Sequence, residues 1–537
     1  MIERMVNKLH SSLTRHSITK CSQWTLNYRV MGPPFPGKWT FNHHPWLVDV
    51  HDDTHEFIVV QKAAQMGFTE CVINRVFYAM DMFQSSCLYI LPTLHPDAND
   101  FSSARFDPAL EESDHIRDMF SNVRNVMHKR AGNASLYIRG SRSRSQLKSI
   151  PCGVIVFDEL DEMIQRNIPL AMERSSGQLE KSIFQLSTPS IDDYGINNYF
   201  LMSTQNQYFF KCPHCSRRTR LVFPDSIVIA DDSNDSYYIC KECKHTLDNA
   251  TKGEWLKDSF WVEQFPEREF HGYHIPQLYS PAIAGRPAEV AKKYKKSLTN
   301  TADEQEFFNS VLGLTRTPDS SRVTEAAINQ CIGGYRSRLS ADSSKLITMG
   351  TDVGTKLHYE IDEWTFDSEG TDANLCAIPR VLFAGSVNHF PQLDELMEQY
   401  SVYYAVIDAN PERRMSKEFV ERYPEHAKMC FYVRGLTSRD ITERPTSASV
   451  DRTCWMDLAL SRFRNKRIHL PQDISREYVD HIQVPVKRFE KNVDGNYIGK
   501  FITGHKPDHL AHARTYNEIA LHLAADLSGS YNITGVL

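Results

Sequence analysis

Phe57-Ile58-Val59-Val60-Gln61-Lys62-Ala63-Ala64-Gln65-Met66-Gly67-Phe68-Thr69 is the stretch that decides the fold of the N-terminal half. Four apolar residues, Phe57 to Val60, read as a buried strand. A small-residue turn ends in Gly67-Phe68-Thr69, and then Val72, Ile73, Val76, Phe77 and Met80 recur at helical spacing. Strand, loop, helix is the order of a phosphate-binding loop, whose backbone N–H groups and helix N-terminus face an anion. The pattern G-x-x-x-x-G-K-[ST] is kept in part. Gly67 and Thr69 are in place, but Lys62 stands where the first Gly belongs and Phe68 where the Lys belongs. Such a loop binds ATP through Lys62 to Thr69, with Lys62 reaching the phosphates from the front edge and the Thr69 hydroxyl facing Mg²⁺.

Downstream, Cys87 to Leu91 and Ser135 to Gly140 read as strands. Gly153-Val154-Ile155-Val156-Phe157-Asp158-Glu159-Leu160-Asp161 is a buried strand with two acids at its C-terminal end. There an Asp holds Mg²⁺, and the following Glu can orient and deprotonate a water. Asp158 and Glu159 are the candidates for those roles. The strand Ser182 to Leu186 runs into Ser187-Thr188-Pro189, placed to sense a γ-phosphate, although Thr-Pro also opens ordinary turns. Strands alternating with helices predict a doubly wound parallel sheet with nucleotide at the strand C-termini.

A chain of 537 residues is too long for one ordinary core, and its 41% hydrophobic, 24% charged composition is globular. It has no apolar run long enough to span a membrane and no apolar segment of a secretory signal near its start, which predicts a cytoplasmic protein. The 12 cysteines then read as thiols or metal ligands. Net charge is −6, so no global nucleic-acid signature is present. Basic clusters are local: Arg139, Arg142, Arg144 and Lys148; Lys292, Lys293, Lys295 and Lys296; Arg462, Arg464, Lys466 and Arg467. A channel that tracks DNA needs phosphate contacts only along its own walls.

Cys212-Pro-His-Cys215 and Cys240-Lys-Glu-Cys243 are paired C-x-x-C knuckles, the spacing of a four-cysteine structural zinc site. His214 and His245 are alternative ligands. A helix is predicted from about 287 to 314, and Thr317 to Arg322 reads as a linker.

Leu346 to Gly354 is an apolar strand with Asp352 embedded in it. Tyr403 to Ala409 is another, ending at Asp408. Asp508 opens a helix with His509 and His512. A carboxylate inside an apolar strand is costly unless paired or metal-bound. Two such strands and a helix acid suit an RNase H-like nuclease, whose carboxylates hold two Mg²⁺ or Mn²⁺ ions. Asp362 and Glu363 compete for that metal site.

The ordered set resembles the large subunit of tailed-bacteriophage terminases, in the lambda-type (GpA) group. It comprises Lys62 to Glu70, Val156 to Asp161, Ser187 to Pro189, the cysteine knuckles, His274 to Pro281, Phe308 to Gly313, Asp352 to Gly354, Ile407 to Asn410, and Asp508-His509 with Ala513 and Tyr516. The resemblance implies a motor that moves double-stranded viral DNA into a procapsid with ATP and cuts concatemeric DNA. Lys62 is its displaced loop lysine, Asp158 and Glu159 its Walker-B pair, and Ser187, Thr188 and Pro189 its coupling motif. Asp352, Asp408 and Asp508 are its metal acids. It implies as partners a small terminase subunit, the portal protein and further copies in a ring, all in the cytoplasm of an infected bacterial host. Glu70 departs from members with a basic residue there. Arg105, Arg139 and Arg142 are the arginine-finger candidates. The expected architecture is an N-terminal segment over 1–55, a P-loop (RecA/ASCE-like) ATPase over 56–205, and an inserted zinc ribbon over 206–250. A helical and linker region over 251–340 and an RNase H-like nuclease domain over 341–537 complete it. A zinc-ribbon helicase or repair ATPase is the competing enzyme reading, against which stands the single P-loop set. A docking protein with dead sites is the non-enzymatic one.

Overall fold

The computed structural model describes residues 18–33, 36–120, 123–148, 150–317, 321–338, 345–366, 377–433, 439–491, 497–503 and 506–528. Expectations for residues 1–17, for 318–320 of the linker and for the stretch after 528 lie outside these. The chain divides into two compact units, Met1–Arg316 and Thr317–Leu537.

In the first unit, seven strands form the parallel heart of one sheet. They are β1 (Phe57–Lys62), β2 (Cys87–Leu91), β3 (Ala134–Gly140), β4 (Val154–Asp158), β5 (Ser182–Ser187), β6 (Asn206–Lys211) and β7 (His271–Ile275). Their spatial order is β6-β7-β1-β5-β4-β2-β3. Every residue of β2 and β4 is buried, as strands covered on both faces require. Helix α1 (Phe68–Phe83) follows β1 and buries Val72, Ile73, Val76, Phe77 and Met80. Strand β5 separates β1 from β4, so the three strand ends that carry the loop, the Ser187 turn and Asp158 lie side by side. Of the N-terminal aromatics, Trp24 and Trp46 are fully buried in this unit's core, and Trp46 Nε1 donates to Met66 O at 3.0 Å.

The expected helical and linker region is corrected in two places. Strand β7 lies within it and inserts between β6 and β1, pairing His274 with Gln61. The helix foreseen over 287–314 is broken. Helix α2 (Pro287–Ser297) stops, and a new turn starts at Asn300, whose side chain caps it by accepting from Asp303 N–H. The run ends at Gly313, with φ of +64°. A Cβ there would sit 2.7 Å from Ala63 N and 2.9 Å from the Lys62 carbonyl carbon, so only glycine lets this segment lie against the loop. The boundary foreseen near 340 also moves, because Val323, Ile328 and Cys331 belong to the second unit's core.

The second unit is built on β8 (Leu346–Val353), β9 (Leu357–Phe366), β10 (Ala377–Val387), β11 (Tyr404–Asp408), β12 (Ala427–Val433) and β13 (Ser447–Asp451), in the order β10-β9-β8-β11-β12-β13. Strands β10, β9 and β8 run antiparallel to one another in turn, and β11 to β13 continue parallel to β8. Helices α3 (Arg452–Arg464), α4 (Arg476–Gln483) and α5 (His509–Ser528) pack around it. Helix α5 crosses β8 at Gly350, where a Cβ would come within 2.2 Å of Ala513 O and Asn517 N. Thr348 and Asn517 hydrogen-bond across this contact at 2.5 Å.

Candidate active sites

The loop after β1 is shaped for an anion. Gln65 and Gly67 have φ of +60° and +83°, which turns successive N–H groups inward. Ala63 N–H donates to Ile275 O at 3.0 Å and Ala64 N–H to Ser310 O at 2.9 Å, fixing the front of the loop to the segments around β7. Gln277 Nε2 holds Ala64 O at 3.0 Å. The N–H groups of Gln65, Met66 and Gly67 have no protein acceptor among the described residues. No side chain caps α1, so its N-terminal dipole faces the same space.

Lys62 is buried, and its Nζ lies 3.2 Å from Glu159 Oε1. Burial works against its charge, but Glu159 and Asp158 outweigh burial and hold its pKa above the ordinary value. Asp158 ends β4 fully buried. Burial, then the Glu159 charge, push its pKa up to about 6, while Lys62, the Tyr89 hydroxyl and Thr69 work the other way. Tyr89 OH donates to Asp158 Oδ2 at 2.6 Å, and Asp158 Oδ1 is buried without a hydrogen-bond partner. Glu159 turns away from the strand in a left-handed conformation, φ +61°. This geometry costs a non-glycine residue about 1 kcal/mol or more and points to a functional constraint.

Ser187 Oγ accepts from Asp161 N–H at 3.2 Å and donates to Thr188 O at 2.9 Å. The Asp161 carboxylate accepts from Ser190 N–H and Oγ–H and from Ile196 N–H. Asp161 thereby ties the end of β4 to the turn after β5, a role the sequence reading did not assign. Its signal was available: a third acid closing Asp158-Glu159-Leu160-Asp161, too polar to be buried without a purpose.

In the second unit, β8 and β11 pair in parallel with Thr351 opposite Ile407, which sets Asp352 beside Asp408 at neighbouring strand ends. Burial, then the Asp352 charge, raise the Asp408 pKa to about 6 against the Asn410 N–H, Tyr516 and His512. His509 Nδ1 lies 2.9 Å from Asp352 Oδ2, and this bond raises the histidine's pKa. Asp508 faces His512 Nε2 at 3.2 Å and Arg452 at 3.9 Å. Burial opposes its charge, yet His512 and Arg452 hold its pKa below the ordinary range.

Residues 34–261 match the family model described as phage terminase large subunit gpA, ATPase domain, and residues 270–401 match terminase large subunit gpA, endonuclease domain. The chain belongs to the gpA-type phage terminase large subunits. It carries the ATPase and endonuclease domains of that family. The large terminase of bacteriophage HK97 is 10% identical and has the same fold, with a TM-score of 0.52 over 93% of this chain and 98% of that one. A large terminase from a thermophilic bacteriophage is 10% identical over 87% of this chain and 94% of that one, with a TM-score of 0.29. Comparison with curated proteins returns no match. The endonuclease match begins within the first unit, since β7 and the segment to Arg316 build the ATPase sheet and its loop.

The four Sγ atoms of Cys212, Cys215, Cys240 and Cys243 lie within 4.8 Å of one another. The two knuckles repeat one geometry. Ser216 N–H donates to Cys212 O and Lys244 N–H to Cys240 O, with φ of +58° and +62° at Ser216 and Lys244. His214 and His245 instead stack on each other, centroids 5.1 Å apart. Glu70 turns to Arg29 at 2.8 Å and Arg105 at 3.4 Å, away from the loop. Arg139 donates to Met127 O and Ile138 O, and Arg142 is exposed.

Asp362 and Glu363 lie apart from the strand ends that carry Asp352 and Asp408, each taken up by an arginine. Asp362 is fully buried against Arg514, which also holds Glu360 at 2.5 Å and Glu518 at 3.1 Å. Arg462 pairs with Glu518 as well, and Trp364 lies between the two guanidinium groups at 5.1 and 5.4 Å. Burial pushes Glu360 up to about 8, with Arg514 opposing it, and burial raises Asp362 as well, whereas, against burial, Arg462 and then Arg514 hold Glu518 below its ordinary value. Glu363 faces Arg338 at 3.8 Å. Arg452 and Tyr432, which contact His512 beside Asp508, carried no motif of their own, whereas Tyr516, next to Asp408, belongs to the set Asp508-His509 with Ala513 and Tyr516.

Proposed function

We propose that this chain is the DNA-packaging motor and nuclease of its phage, and that its two units divide the work as the motifs do. The observation that carries the reading is the pairing of a phosphate loop and an acidic strand end in one unit with adjacent strand-end carboxylates in the other. ATP with Mg²⁺ fits the first unit. The inward N–H groups of Gln65 to Gly67 and the Lys62 ammonium suit a triphosphate, and the unpartnered Oδ1 of Asp158 beside Thr69 suits a hydrated cation. A bound Mg²⁺ supplies charge neutralisation between phosphate oxygens. Glu159 orients and accepts a proton from the attacking water, and Ser187, Thr188 and Pro189 relay the state of the site through Asp161.

Mg²⁺ or Mn²⁺ fits Asp352 and Asp408, whose mutual repulsion an ion relieves, with Asp508 contributing from the start of α5. Two such ions, held by Asp352, Asp408 and Asp508, would supply activation of the attacking water and charge stabilisation at the leaving oxygen. His509 orients Asp352, and His512 orients Asp508. Structural Zn²⁺ fits the four cysteines, which offer a closed tetrahedral set. The partners that follow from this reading are double-stranded viral DNA, a small terminase subunit, the portal protein, and further copies of the chain in a ring in the host cytoplasm. No helix among the described residues is long and apolar enough to cross a membrane.

The test separates the two activities. Asp352→Asn and Asp408→Asn should each reduce plasmid cleavage in Mg²⁺ or Mn²⁺ to background while DNA-stimulated ATP turnover stays within about twofold of wild type. Normal cleavage by either variant removes these acids from the metal site. Loss of both activities together removes the division of labour.

A further inference from the structure

Next to Asp352 lies a cluster that the cleavage reading leaves unused. His358 on β9, with Glu477 and His481 on α4, each offer a ligand atom, all within 4.8 Å of one another. Glu477 and His481 are four residues apart and so share one face of α4. His358 and His481 are each 5% exposed, whereas Glu477 is exposed at the rim. Their ring nitrogens are poorly used. His358 Nδ1 is buried without a hydrogen-bond partner. His358 Nε2 stands 3.7 Å from Glu477 Oε1, too far for a hydrogen bond. His481 Nδ1 has a long contact, 3.4 Å, from Leu510 N–H, which gives up little if the ring turns to another partner. Burying imidazole nitrogens in this state costs free energy that a ligand would recover. A second cluster, Asp53, His55 and His271, differs in this respect. There Asp53 is already bonded to both rings and to Tyr273 at 2.5 to 2.9 Å, which accounts for it as structure.

We propose that His358, Glu477 and His481 form a binding site for a transition-metal ion of the zinc class. Two imidazoles and one carboxylate suit Zn²⁺, Co²⁺ or Ni²⁺, whereas Mg²⁺ and Ca²⁺ take oxygen shells. Three protein ligands leave a position for water on the exposed side of Glu477. The site adjoins the cleavage acids through His358, whose ligand atom also lies within 4.8 Å of those of Asp352 and His509, and through ring contacts of both histidines with His509. The His358 ring lies on that of His509, centroids 4.5 Å apart, and His509 is bonded to Asp352. An ion on His358 therefore acts on cleavage through the seating of His509. That consequence rests on the nuclease reading of Asp352, and metal binding itself does not.

The full-length protein is equilibrated with Zn²⁺ in excess Mg²⁺, desalted, and its zinc measured by mass spectrometry. The expected result is one zinc ion per chain beyond the one the four cysteines account for, assigned by its survival in Cys215→Ser. His481→Asn and Glu477→Gln should each lose that extra ion. Glu477 is exposed, so E477Q keeps the fold, which its unchanged melting curve checks. No extra zinc in the wild type, or its retention by either variant, overturns the proposal. Cleavage measured on the same samples keeps the two readings apart: extra zinc with no cleavage in any sample overturns the nuclease reading and supports the metal site.

Discussion

Lys62 Nζ is paired with Glu159 Oε1 at 3.2 Å, so the loop lysine and the acid after the strand end hold each other. The lysine side chain is 7% exposed and the glutamate 44%, and a half-exposed pair of this kind adds little to stability. Its effect is on position. The buried ammonium is kept charged, and the carboxylate is kept beside the loop lysine.

Removing the two partners should therefore separate binding from chemistry. Lys62→Ala should weaken nucleotide binding and, with it, turnover. Glu159→Gln should leave binding intact or tighter, because Lys62 loses a competitor for phosphate, while hydrolysis falls by roughly 10²–10⁴-fold, the usual contribution of a general base. Fluorescent-nucleotide titration and phosphate release measure the two. Wild-type turnover in E159Q would take Glu159 out of the reaction.

Arg514 should prove a keystone of the second unit. Arg514→Met leaves Asp362 and Glu360 buried without their main cation, which costs about 3–5 kcal/mol. Urea unfolding should show an earlier transition for the second unit. Adding Asp362→Asn should recover part of the loss, since the neutral amide no longer requires the missing charge. A single variant as stable as wild type would mean that water or a neighbour replaces the guanidinium.

His271 should give the first unit a pH-dependent stability. Burial lowers its pKa, but Asp53 and then Glu263 raise it further, to a net value above 6.5. A raised histidine pKa contributes stability that is complete below the unfolded value of 6.5 and is lost as pH rises through the folded value. The melting temperature of wild type should then fall relative to His271→Gln by roughly 2–4 °C between about pH 6 and pH 8. Parallel curves would show that the pair with Asp53 is not ionic. Asp53, held down to about 2 against its own burial by His271 and His55, loses its contribution only in strong acid, as pH falls from 3.8 toward 2.

Much of the site was legible because it is written in local pattern. The apolar run of β1, the turn glycine Gly67, Thr69, the Asp158-Glu159 strand end and the paired C-x-x-C knuckles are short-range signals, and each sits on the element its spacing predicts. The break in the helix after Ser297 was missed. Its cause is equally local, an Asn300 cap inside an otherwise helical run. The parallel insertion of β7 was missed for a different reason: a five-residue strand does not announce its partners.

The sequence by itself determined which chemical groups this protein has and on what kind of element each lies, because periodicity, caps and ligand spacing act over a few residues. Only the tertiary structure decided which of those groups meet. Asp352 and Asp362 are both strand acids, and nothing local tells them apart. Parallel pairing with β11 sets Asp352 beside Asp408, whereas Arg514, from a helix far along the chain, takes Asp362 into a buried ion cluster. A carboxylate takes its role from the charge that reaches it, and that charge arrives by long-range packing.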